Sequence, residues 1–199
     1  MWHSTDRKQP ADVTDQTQRG IQTVLEAASR RGVELEVRII PGLGHSPEHV
    51  AAVLGADPGQ IVRSVFFVAP RPEGRLAPIV CLVSGRNEID LPLLAAVSGE
   101  IAIRAASTSE VRHLIGFAPD VLPPFGYARN VRILMDQDLC QYQWVWAAAG
   151  SDTVVFKVAP RTLRMLSNAV VAPVAAAPWM TAPVSRIEPR LQFETGAGA

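Results

Sequence analysis

The sequence has no long hydrophobic run, no net charge, almost no lysine and only two cysteines, and each shortage removes a class of protein. No apolar stretch approaches the roughly 18 to 20 residues of a membrane span, and the opening MWHSTDRKQPADVTDQTQRG has no segment resembling a signal peptide. A soluble, cytoplasmic protein without a membrane partner is expected. Nineteen basic residues balance nineteen acidic ones, which argues against a DNA-binding protein that grips long duplex by neutralising phosphates; contact with a few phosphates stays open. Lys8 and Lys157 are the only lysines against seventeen arginines, so an arginine where a relative carries lysine is in keeping with the whole composition. Cys81 lies in apolar APIVCLVSG and Cys140 in polar DQDLCQYQ; neither number nor spacing suggests a disulfide framework or a zinc ribbon.

Catalytic signatures are missing too. There is no G-x-S-x-G elbow, no P-loop and no G-x-G-x-x-G fingerprint. HSPEH, His45 to His49, matches the H-x-x-E-H zinc pattern. However, Ser46-Pro47 starts a helix after His45, which leaves that histidine off the face a metal would need, so no metal site is assigned. If the chain is an enzyme, it is expected to work by positioning water or the substrate itself.

What is present is enough apolar residue, 48% of 199, for one substantial core. A helix is expected from the spacing of Ile21, Val24, Leu25 and Ala28, and a strand in VELEVRII. A short helix capped by Ser46 and ended by Gly55 follows. IVRSVFFVA and LAPIVCLVSG read as a hairpin, Asp90 with Pro92 opens a helix, IAIRAA is a strand, and Ser107 with Glu110 forms a capping box. VRILM, WVWAAAG and TVVFKVA are three more strands, the last two joined by Gly150-Ser151-Asp152, and Pro160 begins a final helix. The fold expected is α+β, a single domain with a mixed, partly closed, barrel-like sheet surrounded by helices. Residues 1–16 read as a flexible lead-in, 17–174 as the domain and 175–199 as a Pro/Ala-rich tail.

Between the capped helix and VRILM lies GFAPDVLPPFGYA, Gly116 to Ala128, with two glycines and three prolines. Prolines fix φ and remove donors, so this loop reads as a stiff wall. WAAAGSD, in turn, has side chains small enough for a ligand or a backbone to approach closely; tight sheet packing explains it equally well.

Taken in order, LGADPGQIVRSVFFVA, VCLVSGRNEIDLPLLAAVSG, ASTSEVRHLIGFAPDVLPPFGYARNVRILMDQDL and WVWAAAGSDTVVFKVAPRTLRMLS resemble the YbaK family. This is the aminoacyl-tRNA editing domain also found inserted in bacterial prolyl-tRNA synthetases, and the similarity runs from about Ser46 to about Ala172. The resemblance implies trans hydrolysis of the ester on a mischarged tRNA, typically of the proline type, with no cofactor, metal or covalent nucleophile. Its partners would be the aminoacyl-tRNA 3′ end and, as a further candidate, a synthetase. Carried over by position, the catalytic residues are Arg63, Asp120, Val121 and Pro124. The substrate-binding residues are Arg63, Ser64, Leu122, Pro123, Phe125, Gly126, Ala148, Ala149 and Gly150.

Two departures stand out. Arg63 replaces the family's lysine in IVKS, keeping charge but not the compact ammonium. In the G-x-x-x-P element, Asp120 and Val121 replace glycines that would bring backbone donors to the substrate carbonyl. These departures keep a second class open: a non-hydrolytic module binding an aminoacyl-nucleotide, an amino acid or a protein.

Overall fold

The structure is a computed structural model and describes residues 10–40 and 46–176. His45, and with it the first position of the HSPEH pattern, lies outside the described residues, as do residues 1–9 and 177–199.

Two antiparallel and mixed sheets face each other across the main core. The smaller has the order β1(Glu36–Ile39)-β7(Val154–Val158)-β6(Val145–Ala148), antiparallel throughout. The larger has the order β4(Arg104–Ala105)-β2(Val62–Pro70)-β3(Leu76–Ser84)-β5(Arg132–Asp136)-β8(Val170–Ala172). β2 and β3 form the expected hairpin, register Val62↔Ser84 through Pro70↔Leu76, while β5 joins β3, and β8 joins β5, in parallel. Between the sheets Phe66, Val80, Leu82, Met135, Val145 and Phe156 are buried, and α1(Pro10–Ser29) and α5(Pro160–Ser167) add Val24, Ala28, Leu163 and Leu166.

The five α-helices of the described residues lie over the expected segments, except that α1 begins at Pro10, within the stretch 1–16 read as a lead-in. α2(Pro47–Leu54) starts at Ser46, whose side chain accepts from the His49 amide, and stops at Gly55 in the left-handed region. It packs on the outer face of the small sheet through Val50 and Ala51 against Ile40, Trp146 and Val155. α3(Leu91–Ser98) is capped by Asp90 and covers the outer face of the large sheet through Leu94. α4(Thr108–Ile115) carries the Ser107/Glu110 capping box.

The barrel-like closure expected from the sequence does not occur. Among the described residues the sheets are joined by pairing only at an isolated parallel bridge, Ile61↔Trp146; beyond it β2 pairs with β3 and, at Phe67 and Val68, with β4, so no continuous ladder of described residues links them. The strand expected over IAIRAA shortens to Arg104–Ala105, and β8 is an additional strand.

Buried and partly buried ion pairs tie the large sheet to its helices. Glu100, with a side chain only 3% exposed, pairs with Arg71 at 2.5 Å and Arg132 at 3.0 Å, and the hydrogen bond from Arg71 holds its carboxyl below the usual range. Glu110 is lowered to about 2, first by its hydrogen bond from Arg104 and then by the Ser107 amide. Carboxyls whose pKa falls on folding add stability that is complete above their ordinary 4.5 and is lost as pH falls through the folded value. Thermal melts should therefore show Tm dropping between about pH 5 and about pH 2, with Glu100→Gln lowering Tm at neutral pH and flattening that drop. A slope unaltered by the substitution would contradict this assignment.

Candidate active site

A cleft of about 300 Å3 opens where the small sheet meets the start of β2. Its apolar side is Pro47 and Val50 of α2, Ile61, Trp146 and Val155; its polar side is Arg63, Ser64, Asp120, Ser151 and Asp152. The bridge between Ile61 and Trp146 sets this floor, because it fixes where β2 leaves the small sheet and carries Arg63 and Ser64 along the wall.

Arg63 is 29% exposed and reaches the β3–α3 loop, where its guanidinium donates to the Asn87 carbonyl and to the Glu88 carboxylate at 3.2 Å. Its Nε is buried and has no hydrogen-bond partner among the described residues. The loop is itself anchored. Asn87 donates to Asp136 and to Asp138, each at 2.8 Å, and Asp136, 1% exposed, also accepts from the Ser84 amide at 3.2 Å and the Asp138 amide at 3.1 Å. Fully bonded polar groups of this kind rigidify their surroundings. Asn87, Glu88 and Asp136 were not identified from the sequence as site residues; the signal available was GRNEID, a polar run directly after a buried strand.

The stiff loop divides into two parts. Pro119–Val121 is a 3-10 turn, in which Asp120 borders the cleft while Val121 borders a second hollow of about 530 Å3 on the α1 side. Neither takes a left-handed conformation: outside glycine, the described residues with positive φ are Glu73 and Asn168. The loop thus forms without the backbone freedom that glycines would offer. Leu122 lines the cleft from the core side. Pro123 and Pro124 are buried, the Tyr127 hydroxyl donates to the Pro123 carbonyl, and Phe125 meets Phe156 edge-on with ring centroids 5.7 Å apart. Gly126 borders the second hollow, at φ +95.

The alanine run is divided as well. Ala148 lines the cleft, Ala149 is fully buried and Gly150 faces α1. A Cβ on Gly20 would lie 2.4 Å from the Gly150 carbonyl oxygen, and one on Gly150, at φ +76, would lie 2.8 Å from the Gly20 backbone. Here the close approach is made by a backbone. Of the residues assigned from sequence, the cleft brings together Arg63, Ser64, Asp120, Leu122 and Ala148; Val121, Gly126 and Gly150 sit on the second hollow, and Pro123, Pro124, Phe125 and Ala149 lie in the packing between.

One cation, two carboxylates and two hydroxyls around an apolar floor suit a small ligand carrying both charges. Burial pushes the Cys81 thiol up to about 12, away from nucleophilic use. Among the described residues no three His, Cys, Asp or Glu side chains gather as metal ligands, and no helix is long and apolar enough to cross a membrane.

Comparison with known proteins points to one family. Residues 43–166 match the model of the aminoacyl-tRNA editing domain. The chain is 31% identical over 106 residues to a proline–tRNA ligase of Limosilactobacillus fermentum, a match spanning 53% of this chain but only 18% of the ligase. It is 24% identical over 123 residues to EbsC of Enterococcus faecalis, named as a proposed Cys-tRNA(Pro)/Cys-tRNA(Cys) deacylase, covering 62% of this chain and 73% of EbsC. Among solved structures, a proposed trans-editing enzyme for prolyl tRNA synthetase superposes with a TM-score of 0.72 at 34% identity, covering 79% of this chain and 98% of the other.

Proposed function

The chain belongs to the aminoacyl-tRNA editing domain family, and on that premise we propose that it is a free-standing deacylase that hydrolyses the ester of a mischarged tRNA, of the proline type, in trans. The observation that carries the reading is Arg63 on the wall of the cleft, with a buried Nε awaiting an acceptor and a carboxylate partner, Glu88, whose side chain is 88% exposed. A phosphate of the terminal nucleotide supplies that acceptor and displaces Glu88, and a guanidinium suits phosphate geometry. The apolar floor of Ile61, Val155 and Trp146 takes the adenosine and the amino-acid side chain, while Asp120 and Asp152 face the α-ammonium. Attack by water on the ester carbonyl releases the amino acid and the 3′ hydroxyl. The chain's part is to hold the ester in place and exclude competing poses.

A panel of proline tRNAs charged with alanine, cysteine and serine tests the reading: release above the uncatalysed rate for at least one supports it, and none for any refutes it. One feature favours a second reading, a binding module that retains the cleft without turnover. Asp120 and Val121 occupy the family's glycine positions in a 3-10 turn, and a carboxylate borders the cleft. Tight binding of a stable aminoacyl-adenosine analogue without hydrolysis of any charged tRNA would establish it.

Glu88 competes with phosphate for Arg63, so Glu88→Gln should lower KM for the tRNA about three- to tenfold, with kcat unchanged, the scale of a partly exposed ion pair. An unchanged or raised KM would show that Glu88 does not oppose the substrate.

A further inference from the structure

On the small sheet, the face that forms the floor of the cleft continues past it into an aromatic and basic strip. Trp144 immediately precedes β6 and Trp146 lies within it, two residues on, the spacing at which an extended chain returns to the same face, and Lys157 stands opposite Trp146 in the β6–β7 register. The Lys157 ammonium lies 5.2 Å from the centre of the Trp144 ring and 5.9 Å from that of Trp146, and the Arg38 guanidinium lies 5.1 Å from the Trp146 ring. Such contacts occur about once per 70 to 80 residues; three sharing two rings mark a concentration. Lys157 is the only lysine among the described residues.

The two tryptophans differ in what they do. Trp146 is 5% exposed and packs under α2. Trp144 is 41% exposed, is the one aromatic among the exposed large apolar side chains described, and belongs to none of the hydrophobic clusters. Its carbonyl accepts from Gln60 at 2.8 Å, which pins the strand start and presents the ring from a fixed backbone. Two residues of strand, about 7 Å, separate it from Trp146 on the cleft floor. The acidic residue nearest in the register, Glu36, is paired with Arg38 at 3.6 Å.

We infer that the strip of Trp144, Lys157 and Arg38 seats the unpaired RNA strand leading into the cleft, the nucleotides just before the terminal adenosine. This rests on the reading of the cleft as the aminoacyl-adenosine site. A base stacks on Trp144, and Lys157 and Arg38 meet the phosphates on either side, the combination by which single strands are held without sequence readout.

The test uses the full chain and an uncharged, fluorescently labelled oligoribonucleotide of eight nucleotides ending in cytidine-cytidine-adenosine, titrated by anisotropy. Trp144→Ala should weaken binding about tenfold and Trp144→Phe much less. Lys157→Ala should reduce the slope of log K against log salt by about 0.7, one phosphate contact on a single strand. Binding by Trp144→Ala and Lys157→Ala equal to that of the unaltered protein overturns the inference, as does failure of the unaltered protein to bind the oligonucleotide. Charged-tRNA hydrolysis is read separately: turnover that survives with strip variants binding normally leaves the deacylase standing and removes the strip, while oligonucleotide binding lost on Trp144→Ala without any turnover does the reverse.

Discussion

Arg63→Ala is expected to raise KM for a mischarged tRNA at least thirtyfold while changing kcat much less. The guanidinium is largely withdrawn from water, and truncating one side of a desolvated charge pair costs about 2 to 5 kcal/mol, of which the lower end is about thirtyfold. The loss falls on KM because the phosphate is distant from the ester and is held equally in ground and transition states. Little of the effect comes from stranded partners, since Glu88 is 88% exposed and returns to water. Arg63→Lys keeps the charge and should recover most of the loss; the shortfall measures what the planar fork adds. Steady-state kinetics at constant salt check this. A kcat loss with KM unchanged would move Arg63 from the phosphate to the ester.

Gly150→Ala is expected to lower Tm by about 5 to 15 °C. A residue forced to φ +76 pays about 1 to 2 kcal/mol, and a Cβ placed 2.8 Å from the Gly20 backbone adds an overpacking cost of about 1 to 3 kcal/mol. At this chain length each kcal/mol moves Tm by about 2 to 4 °C. The contact also has a functional consequence. Gly150 precedes Ser151 and Asp152, which border the cleft, so separating α1 from this corner moves the cleft wall. Gly20→Ala meets the same backbone from the other side, at 2.4 Å, with ordinary helical φ, and should lose stability and substrate affinity together. A Tm within about 2 °C of the unaltered protein for both variants would contradict the close packing.

The legible parts of this chain were those with local causes. Ser46, Asp90 and Ser107 cap their helices, Gly55 ends its helix in the left-handed region, and the β2–β3 and β6–β7 hairpins follow from alternation and turn residues. What stayed hidden depends on distant partners. VELEVRII reads as a strand, yet its apolar Val37 and Ile39 are 40% and 77% exposed, β1 being an edge strand of the small sheet. Sheet closure could not be read from strands alone, since it turns on whether β2 and β6 continue pairing beyond one bridge. β8 is three residues long, pairs in parallel with a strand some thirty-five residues earlier, and sits in a Pro/Ala-rich segment with no alternating pattern.

The candidate site divides along the same line. Arg63 was marked by a motif, but what holds it, Asn87 on buried Asp136, comes from the turn after β3 and the end of β5, which meet only in the fold. The loop from Gly116 to Ala128 reads as one wall; in the fold Pro119–Val121 is a 3-10 turn between two hollows, with Val121 on the second, and Phe125 lies in the core. Ala148, Ala149 and Gly150 look alike in sequence and have three different surroundings, because a strand turns its successive residues to opposite faces and Gly150 meets α1.

The central claim, that the ester end of a charged tRNA enters the cleft between α2, β2 and β6, is tested most directly by a crystal structure with a stable 3′-amide analogue of aminoacyl-adenosine 5′-phosphate. The expected result is the phosphate on Arg63 with Glu88 displaced, the amino acid beside Ala148 and the ammonium toward Asp120 and Asp152. Density for the analogue in the second hollow, beside Val121 and Gly126, with Arg63 still bonded to Glu88, would contradict it.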